Sequence, residues 1–98
     1  MPSYIVGRLK VWDHSWAQEY LPKVTALIEG HGGRFLVRGG APERIEGTAD
    51  TPDAVILLEF PTREAAMAFW TDPAFEPLVA LGNTGSNMEA MVLEGFTQ

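Results

Sequence analysis

The sequence predicts an α+β domain of the ferredoxin-like plan, βαββαβ, with four antiparallel strands and two helices on one face. Three observations carry that prediction. Four short segments have strand patterning, near residues 3–11, 34–38, 54–60 and 90–94. Apolar stripes at helical spacing fall after the first and after the third of them. Glycine, proline, asparagine or aspartate marks most of the changes between elements.

Ser3 to Val11 reads as the first strand, with Ile5, Gly7, Leu9 and Val11 on one face and Tyr4, Val6, Arg8 and Lys10 on the other. Gly7 in mid-strand marks close approach of another backbone. Trp12-Asp13-His14 is a link. Ser15 followed by Gln18 fits a capping box, so a helix is expected from there to about Glu29. Trp16, Tyr20, Val24, Leu27, Ile28 and His31 recur at three and four, which makes one buried stripe with His31 in phase. Pro22 removes one helical hydrogen bond, and a kink or restart is expected there.

Gly30, Gly32 and Gly33 suit the end of that helix. Arg34 to Arg38 then alternate as a strand, placing Phe35 and Val37 on one face and Arg34, Leu36 and Arg38 on the other. Gly39-Gly40 is a turn, Arg44 to Gly47 a brief return strand, and Thr48 to Asp53 a loop. Ala54 to Phe60 is the strongest strand, and its near-continuous apolar run implies cover on both faces. Thr62 caps a second helix with Ala65, Ala66, Phe69 and Trp70 on its apolar side. Asp72-Pro73 starts a further short helix to about Leu81. Residues 82–87 read as a loop, and Ala90 to Glu94 as the last strand.

Ninety-eight residues make a single domain, 1–98. An apolar fraction of 46% supports a packed core. Seven basic and thirteen acidic residues leave a net charge of −6, which argues against nucleic acid and anionic membrane surfaces as partners. With no cysteine there is no disulfide framework, thiol nucleophile or thiolate metal site. The first ten residues lack a long apolar stretch, and no run approaches the ~20 apolar residues of a membrane span, so a soluble cytoplasmic protein is expected.

The densest group of chemically capable side chains is His31, Arg34 and Arg38. Two arginines on one strand face, with a histidine at its entry, make a small cationic surface suited to an anionic or carbonyl-bearing molecule. Trp12, outside both helical stripes, and Tyr20 are candidate walls of such a binding site; Tyr4 and Trp70 are further ones. His31 and Glu59 are the candidate acid–base groups, with Glu94 as another carboxylate. His14 and His31 lie at opposite ends of one helix, roughly 25 Å apart at ~1.5 Å per residue, and cannot share an ion. The glycines precede a strand rather than a helix, and no Gly-x-Ser-x-Gly is present, so neither a dinucleotide loop nor a serine triad is read. No cofactor is expected.

In the predicted architecture Leu57, with Val55 or Ile56, faces the side of the sheet without helices. An apolar patch there is an association surface, and two copies packed sheet to sheet would bury it.

The stretch His31 to Gly40, HGGRFLVRGG, resembles the signature of the domain-of-unknown-function family 1330 (DUF1330), within the dimeric α+β barrel superfamily. The resemblance extends to Tyr20 and Pro22, to Glu59-Phe60-Pro61-Thr62 and to Leu93-Glu94-Gly95. It implies a homodimer of ferredoxin-like subunits with a small cavity between sheet and helices. The family pattern usually carries an arginine where this chain has Gly82, which implies a less cationic pocket here. Three functions remain open: a dimer binding a small organic molecule, a cofactor-independent oxygenase or isomerase by analogy with barrel oxygenases, or a structural interaction module.

Overall fold

The computed structural model describes residues 1–96. The elements in order are β1 (Ser3–Val11), α1 (Ala17–Gly30), β2 (Arg34–Gly39), β3 (Ala54–Phe60), α2 (Arg63–Trp70), a 3-10 turn (Pro73–Phe75), α3 (Glu76–Gly82) and β4 (Ser86–Glu94). The strands form one antiparallel sheet in the order β2-β3-β1-β4. This is the expected ferredoxin-like α+β arrangement. No helix among the described residues is long and apolar enough to cross a membrane.

The helices cover one face of the sheet. Ile5, Leu58 and Phe60 point into that layer and meet Val24 and Ile28 of α1 and Ala66 and Phe69 of α2. Phe69 stacks on Phe60 at 5.5 Å between ring centroids and lies 4.6 Å from Phe75, so an aromatic cluster ties α2 and the 3-10 turn to β3. Thr62 caps α2 by accepting the Ala65 N–H at 3.0 Å. Asp72 does the same for the turn, accepting from Ala74 N–H at 2.9 Å.

The other face carries three cross-strand rows. Val37, Leu57, Val6 and Met91 lie side by side across all four strands, an apolar band with Val37 and Met91 well exposed. Arg34, Glu59, Tyr4 and Leu93 flank it on one side, and Gly39, Val55, Arg8 and Glu89 on the other. Leu57 and Val55 therefore face outward as expected, while Ile56 turns to the helices.

Several local readings need correction. Ser15 does not cap α1. Its N–H and hydroxyl both donate to Asp13 Oδ1, at 2.9 and 2.7 Å, and that Asx turn pushes the helix start to Ala17 with Trp16 at the cap. The helix then runs unbroken through Pro22. Residues 44–47 are not a strand and pair with none of the four strands; Arg44 bonds locally to the Ala49 carbonyl. Conversely β4 begins at Ser86, not Ala90. The Gly-Asn-Ser composition reads as loop, yet Lys10 and Val11 extend β1 far enough to pair with Asn87 and Ser86.

The largest correction concerns β2. The register on β3 shifts between Phe35 and Val37, which makes Leu36 the extra residue of a bulge. One inserted residue reverses the alternation after it. Arg34 and Val37 share the open face, whereas Phe35 and Arg38 turn toward the helices. The two arginines expected on one face thus lie on opposite faces.

Candidate functional site

Between the sheet and the helices lies a cavity of about 340 Å³. Its floor is the helix-side surface of the sheet: Leu9 and Val11 of β1, Ile56 and Leu58 of β3, Met88 of β4. Its roof is the α1 stripe, from Ala17 through Tyr20 and Val24. Phe69, Trp70 and Phe75 close the wall contributed by α2 and the 3-10 turn. Gly7 lies beneath Ile56 and Met88; a Cβ there would come within 2.8 Å of Ile56 and 2.9 Å of Met88. Side chains, rather than the backbone expected, are what approach it.

Antiparallel pairing sets the ends of β1 and β2 beside the start of β3, with Leu9 opposite Ala54 and Gly39 opposite Val55. The polar lining residues His14, Arg38 and Asp53 come from these segments. The Arg38 guanidinium sits over the Phe35 ring, 5.4 Å from its centroid. Asp53 Oδ2 accepts the Val11 N–H at 2.7 Å, which ties β3's entry to the end of β1. Tyr20 packs edge-on against Trp16 at 5.1 Å, and burial pushes its phenol up to about 12. At neutral pH Tyr20 is therefore a hydrogen-bond donor and not a base. The indole N–H of Trp16 is buried without a hydrogen-bond partner.

Of the residues singled out in the sequence, Tyr20, Arg38 and Trp70 line this cavity. The remainder are elsewhere. Trp12 is 66% exposed at the end of β1, its backbone N–H donating to the Gly85 carbonyl. His31 Nε2 pairs with Asp72 Oδ2 at 2.8 Å, both half-buried, with the imidazole edge-on to Phe69. The Ala74 N–H first, and His31 second, hold the Asp72 carboxyl below its usual range. Arg34 Nε donates to Glu59 Oε1 at 2.9 Å, and the Tyr4 hydroxyl donates to Glu59 Oε2 at 3.1 Å. That trio occupies the open face of the sheet. Its hydrogen bond to the carboxylate, and then burial, raise the Tyr4 phenol. The two candidate acid–base groups, His31 and Glu59, thus do not converge.

A family model described as a domain of unknown function (DUF1330) matches residues 2–96. The chain belongs to the DUF1330 family. Comparison with curated proteins finds no match. Among solved structures, this DUF1330 chain is similar to RPA0582, a protein of unknown function from Rhodopseudomonas palustris. Identity is 15% and the TM-score 0.77, over 99% of this chain and 84% of that one. SnoaB, a cofactor-independent oxygenase from Streptomyces nogalater, is similar at 15% identity and TM-score 0.66, over 99% and 95%. A dimeric ferredoxin-like protein of unknown function from a Jannaschia species is similar at 13% identity and TM-score 0.63, over 97% and 100%. At such identities the likeness is one of fold.

Among the polar lining residues, the sequence reading weighed His14 only as a metal ligand, took Trp16 as core alone and left Asp53 in a loop. Trp16 sits in the helical stripe, and what sets it apart is a buried indole N–H left without a partner, which helical phase alone does not reveal. His14 and Asp53 flank strands that lie side by side only once β1 has paired with β3, so the signal lay in topology rather than in any motif.

Proposed function

We propose that this DUF1330 protein is a homodimer that binds a small, mainly apolar organic molecule in the cavity between sheet and helices. The observation that carries the reading is the cavity. At about 340 Å³ it lies at the low end of the ~300–1,000 Å³ range of small-molecule sites. Its lining is aliphatic and aromatic with a few polar groups, the composition such sites share. Self-association is supported by the apolar row Val37-Leu57-Val6-Met91 and by the dimeric Jannaschia protein of similar fold. Binding is favoured over catalysis by the acid–base groups that the sequence offers, because His31 and Glu59 are engaged outside the cavity, and Tyr20 stays protonated.

Isothermal titration calorimetry with 2-naphthol tests the reading. The expected result is one site per subunit with micromolar to millimolar affinity. Ala17→Phe and Ala54→Phe, each placing a ring in the cavity, should abolish the heat while leaving the circular dichroism spectrum unchanged. No heat with the unmodified protein, or full binding in both well-folded variants, would overturn it.

A further inference from the structure

Among the described residues Arg38 has no paired carboxylate, and it stands exposed beside a mainly apolar cavity that it helps to line. The chain has seven lysines and arginines against thirteen carboxylate side chains, so acidic partners are plentiful. Five of the seven are engaged. Lys23 pairs with Glu19 at 3.6 Å and Arg34 with Glu59. Arg8, Lys10 and Arg44 donate to the backbone carbonyls of Asp50, Thr51 and Ala49. Among the described residues only Arg38 and Arg63 have neither a carboxylate nor a carbonyl partner. Arg63 opens α2, away from the cavity.

The position of Arg38 depends on the bulge at Leu36. Without the inserted residue, unbroken alternation would carry Arg38 to the open face with Arg34. Phe35, another lining residue, supports the guanidinium from below. That contact leaves the planar N–H fork available for a carboxylate, which it matches in a two-pronged fashion. Asp53 is the one carboxylate of the lining, and one of its oxygens is committed to the Val11 N–H. The lining also carries rings: Phe69, Trp70 and Phe75. Tyr20, another lining residue, adds a neutral donor rather than a competing anion.

We infer that the molecule taken into the cavity is an aromatic monocarboxylate, its ring system among the apolar side chains and its carboxylate on Arg38. The inference rests on the cavity reading above and specifies its ligand class.

The test is calorimetry at about pH 7.5, where a carboxylate is ionised, with 2-naphthoate and its neutral isostere 2-naphthamide. The unmodified protein should bind naphthoate about tenfold or more tightly than naphthamide, the worth of a charge-assisted pair. Arg38→Gln should weaken naphthoate by a similar factor and leave naphthamide within about threefold. Arg63→Gln should keep the full preference, since it lowers the net charge equally but away from the site. Equal affinity of the two compounds for the unmodified protein overturns the inference and leaves the cavity reading standing. So does equal weakening of both by Arg38→Gln, or loss of the preference in Arg63→Gln. Binding of neither compound overturns the cavity reading and this inference with it.

Discussion

Three glycines within four residues, Gly30, Gly32 and Gly33, should answer the same substitution to alanine in three different ways. At Gly30, the last residue of α1, an added Cβ meets nothing within 4 Å, so alanine only lowers the backbone entropy lost on folding. A gain of up to about 0.5 kcal/mol is expected. Gly32 has φ +81°, in the left-handed region, with its nearest neighbours on Pro61 at 3.5 and 3.6 Å. The cost there is conformational, about 1–2 kcal/mol. At Gly33 φ is unexceptional, but a Cβ would fall inside contact distance of the Phe60 ring, whose far carbon is 2.8 Å away. Phe60 is fully buried and stacked on Phe69, so it cannot swing aside. Overpacking of that kind costs about 1–3 kcal/mol or more, and at about 4–8 °C per kcal/mol the melting temperature should fall by at least roughly 4 °C. Urea denaturation at one fixed protein concentration measures all three. The expected order of stability is Gly30→Ala, unmodified, Gly32→Ala, Gly33→Ala. A Gly33→Ala variant as stable as the unmodified protein would refute the packing of β2's entry against Phe60.

Further predictions concern the two faces and the His31–Asp72 pair. Asp72 has a folded pKa below its unfolded value, so its contribution is fully present above about pH 4 and fades as pH falls through the folded value. The stability gap between the unmodified protein and Asp72→Asn should therefore close as the solution is made acid; a gap independent of pH from about 5 down to about 2 would contradict that assignment. In the proposed dimer, Leu57→Glu puts a carboxylate in the apolar row of each partner. With about 1.5–3 kcal/mol lost for each of the two leucines no longer buried, the dimer dissociation constant should rise at least about 100-fold by sedimentation velocity. An unchanged dimer would place the interface elsewhere. Gly7→Val should close the cavity floor by displacing Ile56 and Met88. It is expected to reduce 2-naphthol affinity more than stability, and calorimetry paired with denaturation separates the two.

Much of the fold is readable from local pattern because local pattern has physical causes here. β3 is an apolar run bounded by a loop and a proline; Thr62 and Asp72 sit where side-chain oxygens can satisfy the first free N–H groups. The α1 stripe places Val24 and Ile28 in the core and leaves His31 half-buried at its end. What escaped is what depends on a partner strand. The bulge at Leu36 is a property of β2 against β3, and nothing within Arg34 to Arg38 announces it. Ser86 and Asn87 become strand because β1 is long enough to pair with them. The same holds at the site. Tyr20 and Trp70 were legible from helical phase, whereas the conjunction of Arg38, His14 and Asp53 arises only when three strand ends meet. Arg38 was singled out for its charge, with the wrong neighbours.

The central claim is that the two faces of one sheet have different tasks: the helix side holds a ligand and the open side meets a second copy. Four methionines make it testable in one spectrum. Met88 lines the cavity, Met91 lies in the open-face row, and Met67 is on the exposed side of α2. With the methionine methyls labelled with carbon-13, 2-naphthol should shift Met88 and leave Met91 and Met67 in place, while dilution through the dimer dissociation range should shift Met91 and leave Met88. A ligand that moves Met91 while Met88 stays still would contradict the account.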